Sequence, residues 1–408
     1  MALHVVNEAR RCLNCAKPAC IEGCPIRTPI PQVIKAFLGG RIAEAGEMLF
    51  ENNPLSLICS LICDHENQCE GHCVLGKKGT PVHVSSIEQY ISDTHFDKLK
   101  LQCAPRNGMK AAVIGSGPAG ITIAILLAEK GYDITIFESR DRIGGVLRYG
   151  IPEFRLPKAI LDKYKEELLK LGIRIRPNTT IGGAIGIDDL FRDGYRAIFI
   201  GTGVWRPKTL GIKGETLGNV HFAIDYLCNP DACRLGNKVI VIGAGNSAMD
   251  VARTVLRKSA RQVTVFVRSG TASASPREID YAKADGVEFE YSKMPVEIRD
   301  DGVVFIDTNR NPAGETAPVP GTEKLYPADS VIIAISQGPK DKIVSTTTGI
   351  HVNNRGLIVA NHYGHTSRDG VFASGDVVLG AKTVVEAVRD SKLVAESMHE
   401  YMASLPKD

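Results

Sequence analysis

Apolar positions along this chain change their period from one segment to the next. From Val33 to Leu38 and from Ile42 to Phe50 they recur at helical spacing, with Pro25, Pro29 and Pro31 breaking the chain just before. Little in the first hundred residues alternates as a strand would. The pattern then tightens into a short buried strand at Met109-Lys-Ala-Ala-Val-Ile114, a glycine turn, a helical run from Ile121 to Lys130 and a strand at Asp133–Phe137. That is a β-α-β unit. The plan recurs with a strand at Lys238–Ile242, a helix at Ser247–Lys258 and a strand at Gln262–Val267, its glycine loop 128 residues after the first. Near the end, a strand from Val371 meets a glycine turn and then a helix from Thr383 to Met402. Val384, Val385, Val388, Leu393, Val394 and Met398 mark its packed face. The pattern predicts an α/β chain with a helical segment at 1–104. A nucleotide-binding domain follows at 105–230 and is completed by 341–408, with a second such domain at 231–340.

Composition narrows the function. In 408 residues, 44% are apolar and 23% charged, as in ordinary globular proteins. The formal net charge of +3 is too small to argue for nucleic acid or a membrane surface. No run approaches the roughly 18–20 apolar residues that span a bilayer, and the first residues lack a signal-peptide profile. A cytoplasmic protein is expected. Nine of the 11 cysteines fall in the first 103 residues. In a reducing compartment such dense cysteines bind metal more often than they form disulfides. Cys228 and Cys233 stand apart and read as ordinary thiols. The helical segment holds modest apolar content, so a bound cofactor should form part of its core.

Cys12, Cys15, Cys20 and Cys24 before Pro25 give C-x2-C-x4-C-x3-C-P, and Cys59, Cys63, Cys69 and Cys73 give C-x3-C-x5-C-x3-C. Short loops between thiolates suit a compact iron–sulfur core, and the Cys-Pro ending occurs where a cysteine ligates a second cluster. Zinc, the main rival, usually sits between paired knuckles.

Gly115, Ser116, Gly117, Pro118, Ala119 and Gly120 form a G-x-G-x-x-G loop between strand and helix. Its glycines allow a tight turn and close approach to a pyrophosphate, which the helix N-terminal amides then face. Glu138, 23 residues past Gly115, is placed to bond a ribose hydroxyl. The second loop carries Gly243, Ala244, Gly245, Asn246, Ser247 and Asp250, a form common in NAD(P)-binding domains. After its next strand comes Arg268, followed by Ser269; arginine there can hold the 2′-phosphate of NADP. NADPH is favoured, with NADH possible because valine precedes Arg268. Arg277 is either a helper or a solvated residue. Both loops belong to Rossmann-like domains. Direct hydride transfer to a flavin requires no catalytic acid or base, so none is assigned. A C-x2-C dithiol is absent from the pyridine-nucleotide half, which argues against disulfide chemistry.

The cysteine motifs, with Asn53-Pro54, Asn67-Gln68-Cys69-Glu70 and Cys73-Val74-Leu75-Gly76, resemble the amino-terminal domain of the glutamate synthase small subunit. The same domain occurs in dihydropyrimidine dehydrogenase and in bifurcating transhydrogenases. The resemblance implies two 4Fe–4S clusters. One would take Cys12, Cys15, Cys20 and Cys73. The other would take Cys24, Cys63 and Cys69 with an oxygen ligand from Ser86-Ile-Glu-Gln-Tyr90, Glu88 aligning best and Gln89 second. Cys59 matches a position that is usually not a ligand, and Cys103 is incidental. Ile143-Gly-Gly-Val-Leu147, Ile200-Gly-Thr-Gly203 and Ala373-Ser-Gly-Asp376 resemble flavoprotein segments and point to FAD. They place Ser139, Gly145, Leu147, Arg148, Thr202, Gly203, Gly375 and Asp376 at that cofactor. Thr383 and Val384 would aim backbone amides at its carbonyl edge, and Arg155 would help hold the nucleotide.

The function implied is an electron-input subunit. It would take hydride from NAD(P)H to FAD and pass single electrons through two clusters to a larger catalytic or ferredoxin-linked subunit. That partner would be of glutamate synthase, dihydropyrimidine dehydrogenase or transhydrogenase type. A free-standing NAD(P)H:ferredoxin or sulfur/polysulfide reductase would need the same residues, and so would a bifurcating flavoprotein subunit. A zinc-stapled, non-enzymatic module is the reading from another class.

Overall fold

Helical apolar spacing folds the first hundred residues into the α-helices Ala2–Arg10, Ala19–Gly23, Ile30–Leu38, Ile42–Asn52, Ser56–Ile62 and Val84–Phe96. The computed structural model describes residues 2–99, 103–258, 260–310 and 315–406. One helix begins earlier than expected: Pro29 caps it and Pro31 lies in its first turn. A proline there forfeits only an N–H that has no helical partner, so these prolines start a helix rather than break the chain. Ile30, Val33, Ile34, Leu49, Ile87 and Ile91 form the core of this region, and Cys12, Cys20, Cys24 and Cys73 pack against it.

The chain divides into two compact units. The first comprises Met1–Leu147, Glu153–Val204 and Gly338–Asp408; the second comprises Arg148–Pro152 and Trp205–Gln337. The first unit is built on a five-stranded parallel sheet in the order Val371–Ala373, Tyr195–Ile200, Lys110–Ile114, Asp133–Phe137, Arg174–Arg176. All of these strands but Arg174–Arg176, apart from Lys110, Asp133, Thr135 and Arg196, are buried apolar runs, as a sheet covered on both faces requires. Helix Pro118–Glu129 packs along the long helix Val384–Ser404. That helix is capped by Thr383, and Leu393, expected on its packed face, is 38% exposed.

The cysteine-bearing helices fall within this same compact unit. Tyr164 of helix Lys158–Lys170 donates to the Pro54 carbonyl at 2.9 Å, and its ring lies 4.7 Å from that of Phe96. Lys392 donates to the Asn52 carbonyl at 2.6 Å.

The second unit holds a parallel sheet ordered Val220–Phe222, Ser330–Ile333, Lys238–Ile242, Gln262–Val267, Glu288–Tyr291. An antiparallel sheet follows, formed by Lys293–Arg299, Gly302–Arg310, Thr316–Pro318 and Lys324–Pro327. Phe266 of the first sheet stacks on Phe305 of the second at 3.9 Å. Two boundaries differ from the sequence reading. The first nucleotide domain was expected to run to 230, yet Val220–Phe222 hydrogen-bonds to Ser330–Ile333, so 205–230 belongs to the second unit. Its last return begins at 338 rather than 341.

Candidate functional site

The cysteines sit where helices end and loops turn. Cys12 follows the first helix and Cys24 caps the second. Cys63 caps Ser56–Ile62, its N–H donating to the Cys59 carbonyl at 3.0 Å. Between Cys12 and Cys15, Asn14 adopts a left-handed conformation at φ 48°, which asparagine tolerates better than most residues. It bends the loop so that both thiols face one space. Cys12, Cys15, Cys20 and Cys73 line a single cavity whose other walls include Pro18, Ile30, Ile34, Leu75 and Val82. Cys73, far along the chain, thus joins the first three rather than its sequence neighbours.

Cys24, Cys63, Cys69 and Glu88 form a second group. The charge of Glu88 acts on both Cys63 and Cys69, and that of Cys24 acts on Cys69. Gln89, the other oxygen ligand considered, is exposed. A hydrogen bond with buried Cys59, then burial itself, pushes the Cys63 thiol well up; burial does the same to Cys69. Burial also raises Cys12, takes Cys20 to about 11, and takes Glu88 to about 8 with help from Glu70. Thiols so desolvated stay protonated unless a strongly positive centre replaces the lost water. Iron does this, binding with release of protons. Among the described residues, no three His, Cys, Asp or Glu side chains close on one point as a single metal ion would require. The donor set and its apolar walls fit iron–sulfur clusters. Cys59, expected not to be a ligand, bonds Cys63; the residue that sequence reasoning missed here is Tyr164, whose hydroxyl feels the charges of Cys59 and Glu88. Tyr164 carries no motif; only packing reveals it.

The first glycine loop is backbone-determined. A Cβ on Gly115 (φ +98°) would fall 2.6 Å from the Gly201 carbonyl oxygen, and one on Gly120 would fall 2.0 Å from that of Gly115. Gly117 meets nothing within 4 Å, leaving open space at the helix N-terminus. Glu138 is buried. One of its oxygens accepts from the amide and hydroxyl of Ser116, and the other from the Ser139 hydroxyl and the Arg140 amide. Gly145 (φ +51°) presses so close that a Cβ would lie 2.8 Å from Gly117 Cα, and Leu147 is buried behind it. Gly375 (φ +73°) brings the distal turn against Ala119, so that a Cβ on it would lie 3.2 Å from that of Ala119. Asp376 therefore stands beside the loop, its carboxyl raised to about 6 by burial although it accepts from the Lys382 amide at 3.1 Å. Residues more than 250 positions apart thus frame one cradle, which fits a dinucleotide. One expectation is corrected. The Thr383 amide does not face the cradle; it donates to Glu386 in a capping box, at 3.0 Å.

In the second unit, Gly243 (φ +126°) could carry no side chain, since a Cβ would fall 2.3 Å from the Ala334 carbonyl oxygen. Gly245 has open space, with nothing nearer than Ser273 at 3.8 Å. Asn246 begins helix Asn246–Lys258, and its side chain accepts from the Ser275 amide at 2.9 Å. Asn246 and Ser247 are exposed and Asp250 is buried. Arg268 is exposed and in no ion pair among the described residues, while Ser269 bonds the Thr271 carbonyl. Arg277 bonds and stacks on Tyr281. Arg148 groups with this unit, whereas Arg155, Thr202 and Gly203 lie in the first.

Residues 109–391 match the pyridine nucleotide-disulphide oxidoreductase family, and residues 2–100 match the dihydropyrimidine dehydrogenase domain II, 4Fe-4S cluster family. The glutamate synthase (NADPH) small chain of Escherichia coli strain K12 is 31% identical, the match covering 97% of this chain and 91% of that one. This chain belongs to the glutamate synthase small-chain family. Like that family's members it is an oxidoreductase that depends on FAD, a pyridine nucleotide and iron–sulfur chemistry. The NAD-dependent dihydropyrimidine dehydrogenase subunit PreT of Salmonella typhimurium is also similar, 29% identical over 98% of this chain and 95% of that one. Thioredoxin reductase from T. acidophilum shares the fold at a TM-score of 0.57 and 22% identity, covering 72% of this chain and 98% of that one. The small-chain family thus combines a cysteine-rich helical region with a two-nucleotide flavoprotein fold. No helix among the described residues is long and apolar enough to cross a membrane.

Proposed function

We propose that the chain is the electron-input subunit of a larger oxidoreductase, holding two 4Fe–4S clusters and preferring NADPH. What supports this is the placing of eight candidate ligand side chains within the same compact unit as the flavin cradle, four around one cavity and four whose charges act on one another. Cys12, Cys15, Cys20 and Cys73 would hold one cluster, and Cys24, Cys63, Cys69 and Glu88 the other. When bound, the flavin supplies hydride acceptance and the clusters supply one-electron steps. The chain's own residues bind and exclude water. The open space at Gly117 admits the pyrophosphate, Glu138 and Asp376 receive ribose and ribityl hydroxyls, and Val384 offers an amide to the carbonyl edge. Arg268, free and exposed, supports 2′-phosphate recognition and hence NADPH.

Two relatives are named as a small chain or subunit of glutamate synthase and dihydropyrimidine dehydrogenase. That supports a larger partner that carries the substrate site. The test is anaerobic purification from the native host, with iron, acid-labile sulfide and flavin measured and co-eluting proteins identified. About eight iron and one FAD per chain with a second subunit attached is the expected result. Four iron per chain would remove one cluster from the reading. A solitary chain that reduces ferredoxin or sulfur would make it a complete reductase.

A further inference from the structure

The two cysteine groups differ in what covers them. The second is closed in by Cys59 and by Tyr164 of the flavin-binding part of the same unit. The first opens toward solvent: Leu13, between Cys12 and Cys15 and itself lining that cavity, is 62% exposed.

The charge around that opening is of one sign. The two segments that wall it carry Arg10, Arg11 and Lys17 with no acid between residues 9 and 21, and Lys77 and Lys78 with none between 71 and 87. Arg11 ties the segments together by donating to the Thr80 and Pro81 carbonyls, at 2.5 and 3.0 Å, and it is neutralised by Glu8. Glu22, the next acid along the chain, is taken by Arg27. Arg10, Lys17, Lys77 and Lys78 remain exposed and outside any ion pair among the described residues. An exposed apolar tip on segments that carry four cations outside any ion pair among the described residues suits a partner whose acidic face surrounds its own redox centre, because opposite potentials steer and orient the encounter. A second copy of this chain would set lysine against lysine.

We infer that this basic rim around Leu13 is the docking site through which electrons leave for an acidic one-electron redox protein. The inference rests on the electron-input reading and gives it an exit. The reaction balances: the C4–H bond of the dihydronicotinamide breaks, two electrons leave, each reduces one acceptor centre, and one proton goes to solvent.

The test uses the full holo-chain with two high-potential one-electron acceptors of opposite charge, an acidic blue-copper protein and a basic c-type cytochrome. A neutral quinone reports flavin turnover alone. At low salt the acidic acceptor should be reduced at least tenfold faster than the basic one, and added salt should erase the difference. The triple variant Lys17→Glu/Lys77→Glu/Lys78→Glu should reverse the preference with unchanged iron, flavin and quinone rate. Arginine at all three positions should retain it, as should Lys165→Glu on exposed helix surface elsewhere. A triple variant with full cofactors and the wild-type preference overturns the docking site, and so does a wild type that favours the basic acceptor. Clusters that stay oxidised while NAD(P)H reduces the flavin overturn the electron-input reading, and the exit with it.

Discussion

Asp376 carries a pH signature that follows from its burial. Its carboxyl lies above the ordinary range, at about 6, so in the flavin-free chain its contribution to stability is full at low pH and is lost as pH rises through that value. Two units of displacement at about 1.4 kcal/mol each bound the effect at about 3 kcal/mol. Asp376→Asn should therefore stabilise flavin-free protein at pH 8 and not at pH 4, read by denaturant unfolding, while weakening FAD binding. Equal effects at both pH values would show that burial of the charge is not the cause. Arg268 makes a second prediction at this scale. Losing a charge-assisted phosphate contact worth about 1.5–3 kcal/mol should raise KM for NADPH tenfold or more. Arg268→Ala should leave NADH within about twofold; equal losses with both nucleotides would remove the specificity role. Legibility at this scale was uneven. Glu138, Gly115 and Arg268 were readable because each motif places them within a few residues of a strand end. The exposure of Gln89 beside half-buried Glu88 was not, because one residue step on a helix turns a side chain by about 100° and only the packed neighbours show which way is in.

Among elements, helices Asn246–Lys258 and Pro276–Ala284 are joined by a buried cation. Arg253 donates to Glu278 at 2.9 Å and to Asp285 at 2.8 Å. Burial alone would raise Asp285, but hydrogen bonds from Arg257 and Arg253 outweigh it and hold the carboxyl below its usual range. The depressed value means that this contribution is present at neutral pH and lost as pH falls through the folded-state value. Arg253→Ala removes the buried cation that joins Glu278 to Asp285, and should cost about 3–5 kcal/mol in unfolding of this unit. A loss below about 1 kcal/mol would show that the network relaxes. Element types were largely legible, since apolar periodicity and glycine loops are local signals. The antiparallel strands between Lys293 and Pro327 were missed, and Val220–Phe222, inside the bounds drawn for the first nucleotide domain, pairs in the second unit's sheet, because strand pairing is decided by residues distant in sequence.

At the scale of the whole chain, the cysteine region and the flavin-binding region share one compact unit. Tyr164 and Lys392, both from the flavin side, donate to the carbonyls of Pro54 and Asn52. A chain starting at residue 104 would leave buried Tyr164 in water and the Lys392 ammonium without these acceptors. The full chain should therefore release FAD on heating at least 5 °C later than that truncation, a few kcal/mol at this size. Coincident release temperatures would make the two regions independent domains, as the sequence reading had drawn them.

The sequence by itself determined the class of protein. Cysteine spacing called for a metal cluster, two glycine loops called for two dinucleotides, and the periods around them called for an α/β chain. Each of these signals is written within some thirty residues, the reach of one loop or one β-α-β unit. Only the tertiary structure decided that Asp376 stands beside Ala119, that Thr383 spends its amide on Glu386, and where the compact units divide. Those outcomes depend on contacts between segments up to hundreds of residues apart, formed when apolar faces close on one another, and no local pattern encodes which faces meet.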